Sequence, residues 1–255
     1  MNFIAAGLSD VGLQREHNED SFCIAPEFRL FIVADGMGGH RAGDVASKMA
    51  IHAVSSFFES TQNEDATWPF AIDPSLSLEE NRLVGGIRLA NLRIFETSVQ
   101  NYDMAGMGTT VVSLLYHPSR KSVYVAHVGD SRAYRVRGNE IALLTRDHSL
   151  VNDYLAAMPD MTQEQIDELP KNVITRALGM QEGVMIDLTR VEIEPGDIYL
   201  LCSDGLSGML TDEQIGAIIL DSADDLEAGV KALIRRANEE GGDDNITAVL
   251  IKTGG

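Results

Sequence analysis

The placement of acids constrains this chain more than any other feature of its sequence. In LFIVADGMGGH (30–40), Asp35 directly follows five apolar residues. In YLLCSDGL (199–206), Asp204 stands in the same relation to another apolar run, and in VAHVGDSR (125–132) Asp130 does so again. GGDDNITAVLI (241–251) places Asp243 and Asp244 just before such a run, and REHNED (15–20) offers Arg15, Glu16, Glu19 and Asp20 before SFCIA. Each alone is an ordinary turn or strand-end signal. Jointly, strand ends from five regions bring several carboxylates into one place. Close like charges repel and raise one another's pKa unless cations sit among them. Oxygen-only ligands favour Mg²⁺ or Mn²⁺ over Zn²⁺. More than three acids point to two ions, ~3.5–4 Å apart, sharing a carboxylate and activating a water between them.

The rest of the pattern gives those acids a frame. Strand-like segments cover 2–8, 21–25 and 29–34. Helical spacing of apolar residues runs over 43–60 and 78–100, with a polar, acidic surface loop at 61–77. The middle is β-rich, at 109–117, 122–128, 132–137 and 140–145, and its short turns imply antiparallel pairing. Residues 147–182 are irregular and acidic. Strands at 186–193 and 197–202, helices at 211–220 and 224–239, and a strand at 245–251 complete the chain. Helix pairs alternate with blocks of antiparallel strands. This predicts two packed sheets covered by helices, in one domain spanning 1–255, rather than a doubly wound parallel sheet.

Composition narrows the function. The 255 residues carry 20 Lys plus Arg against 39 Asp plus Glu, a formal net charge of −19. That field repels phosphate backbones, so nucleic acid is not an expected partner, and a nuclease or phosphodiesterase acting on polyanions is disfavoured. Cys23 and Cys202 lie in apolar runs, as buried reduced thiols do, and neither has the basic neighbour of a nucleophile. MNFIAAGLSD (1–10) carries no secretory signal and no apolar run approaches a membrane span, so a cytoplasmic protein is expected. GMGGHRAG (36–43) is glycine-rich between strand and helix. A dinucleotide fingerprint starting at Gly36 needs glycine where Arg41 stands, so the small residues better suit close backbone approach to a metal, with the Gly36 carbonyl as a ligand. GxSxG, P-loop and HExxH motifs are missing from the sequence.

Eight segments in order resemble a known family: 9–22, 33–47, 106–112 (GMGTTVV), 125–136, 144–150 (LTRDHSL), 174–179 (ITRALG), 200–210 and 241–251. By these motifs the chain is similar to bacterial members of the protein phosphatase 2C family, the metal-dependent Ser/Thr protein phosphatases. The resemblance implies an α+β fold, a four-layer αββα sandwich with two central antiparallel β-sheets flanked by helix pairs. It implies Mn²⁺ or Mg²⁺, with two core ions at one edge of the sheets. Asp35 would bridge them, Gly36 would give its carbonyl to the first, and Asp204 and Asp244 would hold the second. Glu19 would act through bound water, Asp20 would support the site, and Asp130 with Asp204 would hold a third, weaker ion. Arg15 matches the phosphate-holding arginine, and Asn245 would order the last ligand.

Many eukaryotic members carry a histidine two residues after the bridging aspartate, where Met37 stands here. His40 is then a candidate acid for the leaving alkoxide, with a metal-bound water as the alternative and an ordinary surface residue as the plain reading. The implied reaction is direct hydrolysis of phosphoserine and phosphothreonine without a phospho-enzyme. A non-catalytic relative would have lost ligands that this chain keeps. Residues 147–182 match the family's variable flap, which is either a solvated loop or a gate biasing phosphopeptide choice. The expected partners are phosphorylated proteins made by a Ser/Thr kinase, with no membrane and a monomeric state.

Overall fold

The computed structural model describes residues 3–38, 42–62, 68–170 and 173–254. Apolar runs become strands at β1 (Phe3–Asp10), β2 (Asp20–Ala25), β3 (Leu30–Met37), a two-residue β4 (Gly108–Thr109), β5 (Val111–His117), β6 (Ser122–Val128), β7 (Arg132–Arg137), β8 (Glu140–Leu143), β9 (Asp187–Glu192), β10 (Ile198–Cys202) and β11 (Ile246–Thr253). They form two sheets whose pairings are all antiparallel. One runs β1-β11-β10-β7-β8, so the first and last strands are neighbours. The other runs β2-β3-β5-β6-β9, with β4 beside β3.

Helices α1 (Ala42–Ser60) and α2 (Leu78–Gln100) cover the second sheet. Ser77 and Glu80 form a reciprocal capping box that fixes where α2 starts. Small residues on α1, Ala46, Ala50 and Ala53, let it lie close to Ile32 and Ala34 of β3. Helices α6 (Asp212–Asp221) and α7 (Leu226–Glu239) cover the first sheet through Ile215, Ile219, Val230 and Leu233. The layers are therefore helix pair, sheet, sheet, helix pair, as the resemblance implied.

Strand parity explains why the runs are apolar throughout. Along β3, Leu30, Ile32 and Ala34 face the helices, while Phe31 and Val33 face the other sheet. Along β10, Ile198, Leu200 and Cys202 face α6 and α7, while Tyr199 and Leu201 face inward. Both faces of each central strand are buried, so the polar half of the usual alternation is lost. The inter-sheet layer holds Phe31, Val33, Val112, Leu114, Val125, Tyr199, Leu201, Val249 and Ile251. Its parity also sets up the site, because continuing one face of β3 past Phe31 and Val33 leads to Asp35.

The region read as irregular contains two short helices instead: α3 (Leu150–Ala157) and α4 (Gln163–Asp167). They bury no residue: on α3 the i,i+4 pairs Leu150–Tyr154 and Val151–Leu155 meet no core, and α4 carries one apolar residue, Ile166. Directly after β10 comes α5 (Asp204–Ser207), a single turn. Of the 61–77 loop, the described residues form no helix or strand, and Trp68 packs edge-on against Phe57 at 5.4 Å. Among the described residues, no helix is long and apolar enough to cross a membrane.

Leu201 is fully buried in the inter-sheet layer. Leu201→Ala is expected to cost about 2–5 kcal/mol in urea unfolding, the range for truncating a close-packed leucine. A loss under ~1 kcal/mol would show that the two sheets are not packed face to face there.

Candidate active site

The acids meet at one end of the seam between the sheets. Asp20 and Asp35 are direct cross-strand partners in the β2–β3 register. Phe22 and Ile24 share the Asp20 face and pack against the inter-sheet core, as do Phe31 and Val33 on the Asp35 face. The other sheet contributes from the same layer. Ser203 and Thr247 each donate a hydroxyl hydrogen bond to Asp20 Oδ2 at 2.7 Å. Asp35 and Asp204 stand within hydrogen-bond reach of each other.

The main chain holds these positions firmly. The Asp35 N–H donates to Thr110 Oγ1 (3.1 Å), and its carbonyl accepts from the Thr110 N–H and the Thr109 hydroxyl, both at 2.8 Å. Thr110 Oγ1 in turn pairs with Ser131 Oγ at 2.6 Å, which links the bridging candidate to the residue after Asp130. Asn245 pins the N-terminal loop: its Oδ1 accepts from the Glu19 N–H, and its Nδ2 donates to the carbonyls of Val11 and His17. These hydroxyls and amides were not singled out from the sequence, Asn245 excepted. The TT pair of GMGTTVV and the Ser before Asp204 were the available signals.

Glycine is required where β3 meets α1. A Cβ at Gly43 would come within 2.8 Å of both the Gly36 carbonyl oxygen and the Glu19 carboxyl carbon. The Gly43 N–H bonds the Glu19 carboxylate at the first turn of α1, an anion placed at a helix N-terminus. Arg15 lies at the exposed rim. Its Nη2 donates to Asp244 Oδ2 at 2.6 Å, while Asp244 Oδ1 accepts from the Asn245 N–H at 2.8 Å. The sequence-based site residues Arg15, Glu19, Asp20, Asp35, Gly36, Asp130, Asp204 and Asp244 thus gather at one place. His40 lies outside the described residues.

Electrostatics make this cluster costly without cations. Burial, then Asp20 and Asp204, push the Asp35 carboxyl well above its usual range. Burial raises Asp20 to about 7, only partly offset by the two hydroxyls. Burial, then Asp204, raises Asp130 to about 7. Burial and Asp244 raise Asp204, and burial raises Glu19 against the pull of Arg15. Two like charges 4 Å apart oppose each other by about 4 kcal/mol at an effective dielectric of 20.

The cluster's oxygens are suited to a hard cation. Buried and without a hydrogen-bond donor are Glu19 Oε1, Asp20 Oδ1, Asp130 Oδ1 and Asp204 Oδ1. Among the described residues, every buried carboxylate oxygen left without a donor belongs to this site. Such atoms cost free energy unless something positive meets them. With no thiolate or imidazole among these acids, the donor set matches Mn²⁺ or Mg²⁺.

The family profile for protein phosphatase 2C matches residues 14–251. The serine/threonine phosphatase stp of Listeria welshimeri is 36% identical over 252 residues, covering 96% of this chain and 93% of the relative. The crystal structure of the Mycobacterium tuberculosis serine/threonine phosphatase PstP/Ppp superposes with a TM-score of 0.83 at 33% identity, covering 100% of both chains. The catalytic domain of the serine/threonine protein phosphatase PstP in complex with two manganese ions superposes with a TM-score of 0.80 at 31% identity, covering 99% of each.

The raised carboxyls have a consequence for stability. A group whose pKa is higher folded than unfolded binds more protons when folded, so its contribution falls as pH rises from about 4 to about 7. His127 and His148, held below their usual pKa mainly by burial, act in the opposite direction. The informative quantity is therefore the difference between wild type and Asp20→Asn in chelator. The variant is expected to gain about 2 kcal/mol relative to wild type between pH 5 and pH 7.5. A pH-independent difference in melting curves would show that Asp20 is not protonated in the metal-free fold.

Proposed function

Because the chain belongs to the protein phosphatase 2C family and is a metal-dependent phosphatase, we propose that it dephosphorylates phosphoserine and phosphothreonine in proteins by direct attack of water, without a phospho-enzyme. The observation that carries this reading is the set of donor-free carboxylate oxygens at one end of the seam. Asp35 would hold two ions, with the Gly36 carbonyl on the first and Asp204 and Asp244 on the second. Glu19 would reach the site through water, and Asp130 with Asp204 would hold a weaker third ion. When bound, Mn²⁺ or Mg²⁺ supplies Lewis acidity for the attacking water and offsets charge on the phosphoryl oxygens.

The chain's own groups do the rest. Arg15, half exposed at the rim, binds a phosphate oxygen through its planar fork of donors. Asp20, fixed by Ser203 and Thr247, keeps its second oxygen directed at the cluster. Water adds to phosphorus as the bond to the Ser or Thr oxygen breaks; His40, with another water as the alternative donor, would give that oxygen its proton, and the proton lost by the attacking water restores the acid. Cys202 does not compete as a nucleophile, because burial pushes its thiol up to about 12. Ser203 is fully buried and commits its hydroxyl to Asp20.

Cys202 on β10 is buried as the sequence suggests, whereas Cys23 on β2, in the other sheet, is only half-buried. The reading is of a monomeric cytoplasmic enzyme with one catalytic domain over 1–255, opposing a Ser/Thr kinase. Its flap is 147–182, with Tyr154 exposed on α3, Met158 exposed just after that helix and Met180 exposed near the flap's end.

The test is hydrolysis of an aryl phosphate and of phosphothreonine and phosphotyrosine peptides, with Mn²⁺ and then with chelator. Turnover of phosphothreonine over phosphotyrosine, lost on chelation, is expected, and Asp35→Ala should lower it by at least about 10²-fold with the fold intact. Metal-independent turnover, or an active Asp35→Ala, would refute the proposal. His40→Ala should slow the phosphothreonine peptide more than the aryl phosphate, whose leaving group needs less protonation. Equal losses would remove His40 as the acid.

A further inference from the structure

Beside the acid cluster lies a second group of titratable side chains. Ligand atoms of His127, His148 and Asp187 all fall within 4.8 Å of one another, a composition that invites a zinc reading. The hydrogen bonds argue against it. His148 Nδ1 accepts from the Gly129 N–H at 3.0 Å, so in the neutral ring the proton sits on Nε2. That nitrogen faces Asp187 Oδ2 at 3.4 Å; Arg176 Nη1 stands 2.9 Å from it as a second donor rather than a hydrogen-bond partner, and the Asp187 carboxylate lies against both. Arg176 also donates to Asp187 Oδ1 at 2.7 Å, so the carboxylate has its cation.

The remaining contacts of His148 point elsewhere. Its main-chain N–H donates to the Gly129 carbonyl at 2.9 Å, so the one residue grips both polar groups of Gly129. Gly129 has φ +110°, a conformation that glycine adopts readily and other residues resist, and a Cβ there would come within 2.6 Å of the Thr110 side chain, so the main chain before Asp130 has freedom that its hydrogen bonds must fix. Its successor is Asp130. On the other side of Asp130, Arg132 clamps Asp147 through Nε (2.9 Å to Oδ1) and Nη2 (2.7 Å to Oδ2). Consecutive residues 147 and 148 therefore bracket the GDSR turn. The His148 ring is itself held flat, stacked on His127 at 4.7 Å and 14°, and His127 Nε2 is bonded to the Arg146 carbonyl at 2.9 Å. The His148 carbonyl accepts from the Thr175 N–H at 2.8 Å, which anchors the same residue to the returning end of the flap. Burial, then His127 and Arg176, keep the ring's pKa below the ordinary value, leaving Nδ1 free to accept at neutral pH.

We propose that His148 is a positioning residue: by gripping Gly129 it sets where the Asp130 carboxylate points, and so tunes the affinity of the weaker third cation. The inference rests on Asp130 being a ligand of that ion. Partners that orient ligands typically change metal affinity by about 10–100-fold when removed.

The experiment is calorimetric titration of Mn²⁺ into wild type, Asp130→Asn, His148→Leu and His148→Asn, with melting curves alongside. Asp130→Asn is expected to lose the weak binding and keep the tight sites. His148→Leu should weaken the weak binding at least about 10-fold with the tight sites unchanged. His148→Asn, whose Oδ1 takes the place of Nδ1, should restore it. If Asp130→Asn keeps the weak binding, the reading of Asp130 fails and the proposal falls with it. If Asp130→Asn loses it while His148→Leu binds as wild type, the proposal alone is overturned. Should His148→Leu not fold, His148→Gln replaces it, since its amide oxygen lies out near the Nε2 position. Equal weak binding by the Asn and Gln variants would then overturn the role of the Nδ1 acceptor.

Discussion

Carboxylates crowded at the edge of an apolar layer, opposed first by loss of water and then by one another's charge, are the constraint around which this molecule is built. Asp20, Asp35, Asp130 and Asp204 emerge where the inter-sheet core ends, with dry apolar layers behind them and few donors in front. Such groups must keep their protons or acquire cations. The scaffold tolerates the cost because the seam is fixed elsewhere, by strands apolar on both faces and by hydroxyls reaching from one sheet to the other. Ser203 and Thr247 are small polar residues at the edge of an otherwise apolar layer, and both spend their hydroxyls on Asp20.

Function follows from the same arrangement. In the proposed reading, a cluster of hard oxygen donors with a half-exposed arginine at its mouth would be preorganised for cations and for a tetrahedral anion. Preorganisation resides in backbone positions more than in the acids themselves. Thr109 and Thr110 hold the main chain of Asp35, Asn245 ties the 11–19 loop to the start of β11, and the Gly36–Gly43 contact brings α1 against the end of β3.

The acids were legible in the sequence because they break apolar runs, and a charged residue ending such a run is conspicuous. The two-sheet architecture was legible from short links between strands such as 111–117 and 122–128. Which face of each strand looks into the seam was not, since Leu30 to Ala34 are apolar on both sides and period 2 is erased. Helices α3 and α4 were missed because neither buries an apolar stripe, although Ser149 and the Thr162–Gln165 capping box mark their starts. The supporting hydroxyls of Thr110, Ser131, Ser203 and Thr247 look like ordinary strand-end residues until the fold sets them beside carboxylates. His148 is similar: nothing in RDHS announces that its ring grips a glycine 19 positions earlier.

The most direct measurement is anomalous diffraction at the manganese edge from crystals grown with Mn²⁺. Two strong peaks sharing Asp35, one near the Gly36 carbonyl and one between Asp204 and Asp244, are expected. A seam without peaks, with manganese only on exposed surface acids, would contradict the claim that these carboxylates are assembled around cations.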